Sequence, residues 1–76
     1  MRIDIMGCIV PEEDAWIYDW FGIEHTSPGA VKGKIANANG EPIDVYINSG
    51  GGDIFAGSEI YSEIRNYTGS VKIHIT

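Results

Sequence analysis

Basic residues are scarce: the 76-residue chain holds five Lys and Arg against eleven Asp and Glu, a formal net charge of −6 at neutral pH. Contacts to phosphate need clustered cations, so neither nucleic acid nor an anionic membrane is expected as a partner. Cysteine is almost absent too. The single thiol, Cys8, has no internal disulfide partner; the expectation is a reducing, cytoplasmic setting, with this side chain buried and inert. No run of about 18 apolar residues occurs, and no basic start followed by an apolar core, so neither a membrane span nor a secretion signal is read. Two distant histidines and one cysteine have no metal-ligand spacing, and no metal or other cofactor is expected. There is no internal repeat, low-complexity tract or linker, so residues 1–76 read as a portion of a single domain. A chain this short buries only about 60% of its unfolded surface, yet 43% hydrophobic and 21% charged residues are the proportions of a globular chain.

What is present falls into alternating patterns. Met1 to Val10 alternates weakly through Ile3, Ile5 and Ile9 with Gly7 interrupting, which predicts a strand with a bulge or a close approach. Pro11 ends it. Glu12, Glu13 and Asp14 lead into Ala15-Trp16-Ile17-Tyr18-Asp19-Trp20-Phe21, whose element type the pattern does not decide. Its rings are expected in the core, the other reading being an exposed patch that marks an interface. His25 is expected in a solvated loop. Ser27-Pro28 predicts a helix start with Ser27 as N-cap, an apolar stripe of Val31, Ile35 and Ala38, and an end at Asn39-Gly40. Ile43 to Ile47 reads as a buried strand. After Asp53, placed as an N-cap, Ile54, Gly57, Ile60, Tyr61, Ile64 and Tyr67 recur at helical spacing, and residues 70–76 alternate as a last strand. The order β-α-β-α-β predicts an α/β fold with a parallel sheet and right-handed crossovers, and puts the turn after Ile47 at the carboxyl edge of that sheet.

That turn is Asn48-Ser49-Gly50-Gly51-Gly52. Glycines between a strand end and a helix N-terminus present backbone N–H groups to something negative: a phosphate, a carboxylate, or an oxyanion formed during reaction. The phosphate-loop pattern needs Lys and Ser or Thr after its last glycine, where this chain has Asp53-Ile54, and a GxGxxG pattern started at Gly50 meets Phe55 at its third glycine. On the residues alone, a tight turn without chemistry stays open beside these readings.

Tyr46-Ile47-Asn48-Ser49-Gly50-Gly51-Gly52, followed by Ile54 and Ala56-Gly57, resembles the oxyanion-hole segment of the Clp-type serine proteases, whose usual form is YINSPGG, three residues and AG. It is especially similar to their phage relatives, the head-maturation proteases. The resemblance implies a crotonase-like spiral fold, of which this chain is the amino-terminal part. It also implies that the Gly51 amide is an oxyanion donor supported by Gly52, and that Gly52, Asp53 and Ile54 line a bound peptide. Gly50 stands where the family has proline, and Asp53 where it often has an apolar residue. The family's Ser-His-Asp set follows the next strand, so the nucleophile, base and acid are expected to lie outside residues 1–76. His74 and the helix serines Ser58 and Ser62 are not expected to replace them, and the chain alone is expected to hydrolyse nothing. Further implied are a peptide or unfolded-protein substrate, assembly into a ring of identical subunits, and either an ATP-driven unfolding partner or, as in the phage enzymes, capsid or scaffold proteins. The open edge at 71–75 leads to an expectation of self-association. Two other functions remain: an acyl-CoA enzyme of the crotonase class, and a non-catalytic module that binds a partner through Trp16 to Phe21.

Overall fold

Side chains alternate across a strand, so Ile3 and Ile5 point to one face of their strand as Ile43 and Val45 do of theirs, and burying the four together sets the two strands side by side. In the computed structural model, which describes residues 1–75, these strands are β1 (Arg2–Ile9) and β3 (Ile43–Gly52). With β2 (His25–Thr26) and β4 (Val71–Ile75) they form one sheet in the order β2-β1-β3-β4, every pairing parallel. Three helices connect them: α1 (Ala15–Trp20), preceded by a 3-10 turn over Glu12–Asp14, then α2 (Pro28–Ala38) and α3 (Ile54–Arg65). Val31 and Ala38 of α2 and Ile60 of α3 close over the isoleucines and valine of the sheet. All of these are nearly inaccessible to water, and a buried Val or Ile side chain contributes about 1.5–3 kcal/mol.

The alternate residues of the same strands form the polar face. The Arg2 guanidinium lies 3.8 Å above the Tyr46 ring, and His74 stacks on that ring from β4 with centroids 4.4 Å apart and planes 9° apart. His74 Nε2 also stands 3.0 Å from Asp44 Oδ1. His74 is thus held as a packing residue.

The expected β-α-β-α-β series is present as β1, α2, β3, α3 and β4, with β2 and α1 added between the first two. Several side-chain expectations are corrected. Trp16, Trp20 and Phe21 are not core: α1 packs mainly on its own 3-10 turn and on β2, leaving Trp20 79% and Phe21 68% exposed. Cys8 is exposed: alternation with the inward-facing Ile3, Ile5 and Ile9 puts it on the other face of β1. His25 is half-buried in β2, with Nδ1 donating to the Ile23 carbonyl at 2.8 Å and Nε2 3.3 Å from Asp19 Oδ1. On β4, Ile73 and Ile75 are exposed, 55% and 81%, because this edge strand runs out from under α3. Ile73 borders an open apolar groove of about 470 Å³ between α3 and the sheet, lined also by Ile47, Ile60 and Tyr61. Tyr61 and Ile54 also leave the expected buried stripe of α3 and face water. Thr76, taken into the last strand by its pattern, lies outside the described residues.

Helix ends show a second kind of correction. Ser27 has the extended backbone of an N-cap, and Pro28 opens the helix, but the Ser27 side chain makes no cap bond. Glu12 does this instead: its Oε2 accepts the Gly29 N–H at 2.7 Å, from 17 residues away in sequence. A carboxylate there satisfies an orphan donor and sits at the positive end of the helix. At the other end Asn39 adopts a left-handed conformation, φ 51°, and stops the helix as expected.

Two outcomes are expected. Glu12→Ala should destabilise the chain by about 1 kcal/mol, the usual cost of a lost cap, read from the urea midpoint. The hydrogen bond with His74 is the main cause holding the Asp44 carboxyl below its ordinary value; desolvation opposes it, and the charges of His74, Lys72 and the amino terminus add to it. A carboxyl lowered in the folded state stabilises the protein above its unfolded pKa, and that contribution disappears as pH falls through the folded value. Asp44→Asn should therefore be less stable than the parent near neutral pH. The difference should close below the ordinary Asp range near about 3.9, as shown by urea midpoints collected across that interval.

Candidate functional site

With all strands parallel, their C-terminal ends share one edge, which β3 reaches through Ser49-Gly50-Gly51-Gly52, ending level with Ile9 of β1 and Thr26 of β2. The glycines are not a loop beyond the strand, as the sequence suggests, but its last residues. Gly51 pairs with Cys8 and Gly52 with Ile9 along β1. Between Met6 opposite Asn48 and Cys8 opposite Gly51, the register slips by one residue, so Ser49 and Gly50 stand against Gly7 alone. This is a bulge. Gly7 takes φ 68°, and a side chain there would collide with the Glu24 backbone.

Ser49 ties the bulge together. Its hydroxyl donates to the Gly7 carbonyl and accepts the Gly51 N–H at 3.1 Å. Gly51 has φ 106° and Gly52 φ 154°, both unfavourable for a residue with Cβ. Their surroundings differ. A Cβ on Gly51 would meet nothing within 4 Å, whereas one on Gly52 would stand 2.3 Å from the Ile9 carbonyl oxygen. Gly51 therefore has open space on its Cα while its N–H is held by Ser49, and Gly52 seats the strand against β1. The next residue completes the seat: Asp53 N–H donates to that same Ile9 oxygen at 2.9 Å.

Asp53 is the N-cap of α3, as its position predicts, with Oδ2 accepting the Ala56 N–H at 2.7 Å. Its carboxylate thus takes up one of the donors that the helix start offers, and it lies at the mouth of the site where an incoming anion would meet it. Ile54 and Phe55, in the first turn, are more than 80% exposed. The four residues named from sequence, Gly51, Gly52, Asp53 and Ile54, are thus contiguous at the strand-to-helix junction. Neither histidine is engaged with a serine: His25 is held by Ile23 and Asp19, and His74 by Asp44 and Tyr46. Ser58 and Ser62 are exposed on α3.

A family model, described as Clp protease, matches residues 35–76. The chain belongs to the Clp protease family. No curated protein and no solved structure matches it. The matched span runs from the second half of α2 through β3, α3 and β4, so it contains the glycine segment entire and leaves out α1 and its aromatics. The four-stranded parallel sheet agrees with a partial crotonase-like fold of the Clp protease type. Among the described residues no helix is long and apolar enough to cross a membrane.

Sequence reasoning did not find Ser49 and Gly7 as partners in this site. Gly7 interrupting the alternation of β1 was the available signal, but which residue it opposes depends on pairing 42 positions away. The geometry separates the glycines in a way a stability measurement can read. Gly52→Ala should cost more than about 1 kcal/mol, since both φ and the Ile9 carbonyl oppose a Cβ. Gly50→Ala, at a position without positive φ and with open space around it, should change the urea midpoint by less than about 0.5 kcal/mol.

Proposed function

We propose that this chain is the oxyanion-binding portion of a serine-type endopeptidase of the Clp class, acting in the cytoplasm on peptide or unfolded-protein substrates as one subunit of a homo-oligomer. The observation that carries the reading is the Gly51 backbone: positive φ, exposed, with open space where a Cβ would stand, and at the carboxyl edge of a parallel sheet. An amide in that position stabilises the negative charge that develops on a carbonyl oxygen as a tetrahedral intermediate forms. One such donor is worth about a hundredfold to a thousandfold in rate.

In the structure that N–H donates to Ser49 Oγ. The role therefore requires the hydroxyl to give way, or to share the donor, when an oxyanion arrives. A neutral hydroxyl two residues away in sequence is the weaker partner for an amide; a full negative charge is the stronger one. Gly52 and Asp53 fix the position of the donor through the Ile9 carbonyl, and Ile54 lies next to it for contact with the substrate chain. The open groove beside β4 favours the oligomer, because apolar surface of that kind is normally covered.

In this reading the nucleophilic serine and its base are supplied from outside residues 1–76. The decisive measurement uses the protein expressed from its entire reading frame and treated with a fluorophosphonate probe. One serine outside residues 1–76 should be labelled, and Gly52→Ala should reduce labelling by at least tenfold in protein that remains folded by circular dichroism. Absence of labelling in folded parent protein, or labelling confined to Ser49, Ser58 or Ser62, would remove the peptidase reading. Retention of labelling in folded Gly52→Ala would remove the oxyanion role while leaving the family intact.

A further inference from the structure

The charge of this molecule is unevenly placed. Residues 3–31 contain six acidic side chains and no Lys or Arg, whereas the remainder holds five of each sign, so the whole net charge of −6 belongs to one segment. The same segment holds three large exposed aromatic rings close together in sequence. Trp16, Trp20 and Phe21 turn most of their surface to water from α1 and its C-terminal cap, and Ile17 and Ile23 are partly uncovered beside them. Burying even one such ring is worth kilocalories, and monomers seldom leave several together in water. Alongside the helix runs an open groove of about 350 Å³ lined by Asp14, Ile17, Tyr18 and Ile23.

We propose that the α1 surface is a docking site for a cationic peptide segment that also carries large apolar side chains. The groove suits a Lys or Arg: the aliphatic stem lies along Ile17 and Ile23, and the cation meets the Asp14 carboxylate. Trp16 and Trp20, four residues apart on the same strip of helix, offer ring faces to a second cation or to an apolar anchor. Glu13, Asp19 and Glu24, which flank the tryptophans in the chain, add negative potential that draws such a segment in.

Charge decides among occupants. A second copy would bring its own six negative charges against this patch, and phosphate-bearing surfaces, whether nucleic acid or anionic lipid, carry the same sign. The site shares no residue with the glycine junction. It lies outside the residues matched by the protease family model, and the proposal stands whether or not the peptidase reading does.

The test uses the 76-residue chain and a fluorescein-labelled peptide of repeating Leu-Lys-Lys-Leu units, with a Leu-Glu-Glu-Leu peptide as the control. The cationic peptide should raise fluorescence anisotropy, shift the tryptophan emission to the blue, and bind less tightly as salt is added. Trp20→Ala and Asp14→Asn should each weaken binding about tenfold, the range of an interface anchor. Both positions are on the surface, and far-UV circular dichroism checks that the variants fold. Equal affinity for the Glu peptide, or unchanged affinity in both variants, overturns the proposal. So does a dimer in sedimentation that Trp20→Ala dissolves, which would make a second copy the occupant, and so does equal binding to anionic vesicles through the same two tryptophans.

Discussion

A Cβ at position 52 would stand 2.3 Å from the Ile9 carbonyl oxygen, so the end of β3 can lie along β1 only while that position carries hydrogen alone. Much of the geometry follows from this contact. With Gly52 seated, the Ile9 oxygen accepts the Asp53 N–H, and Asp53 in turn caps α3 through Ala56. The direction in which α3 leaves the sheet, and hence the burial of Ile60 against Ile3 and Val45, is set at a point where two backbones meet. Glycine is conformationally costly in a strand, and the cost is tolerated here because the helix entry depends on it.

One residue earlier the same strand does the opposite. Gly51 has no neighbour near its missing Cβ, pairs with Cys8 just past the bulge opposite Gly7, and donates its N–H to Ser49 Oγ. Three adjacent glycines thus differ: Gly50 fills the bulge, Gly51 is the donor of the proposed role, and Gly52 anchors. Ser49 ties β3 to β1 by bonding to Gly7 and to the Gly51 N–H. The proposed chemistry needs a donor held in place but not permanently satisfied, and a side-chain hydroxyl is a partner that can rotate away without disturbing the ladder.

The two ends of the molecule differ in how completely they are covered. Around Ile3, Val31 and Val45 the packing leaves almost no accessible surface, while α1 and the outer half of β4 leave large apolar side chains in water. The first exposure coincides with a concentration of negative charge, and the second with a mainly apolar groove, Arg65 at its wall, beside an edge strand. Surfaces of such different chemistry suit different partners.

Local sequence determined the elements that local physics controls. Alternation placed β1 and β4, an apolar run placed β3, Pro28 and Asn39 bounded α2, Asp53 capped α3, and the run from Tyr46 to Gly57 carried the family resemblance, because each of these depends on residues a few positions apart. The tertiary structure alone decided the rest. Whether Trp20 is covered, whether Ser27 or Glu12 caps α2, which residue Gly7 opposes, and which glycine has room for a side chain all depend on atoms brought together from distant parts of the chain. A pattern of residue types records which side chains prefer burial; only the packed backbone determines how much covering surface exists for them.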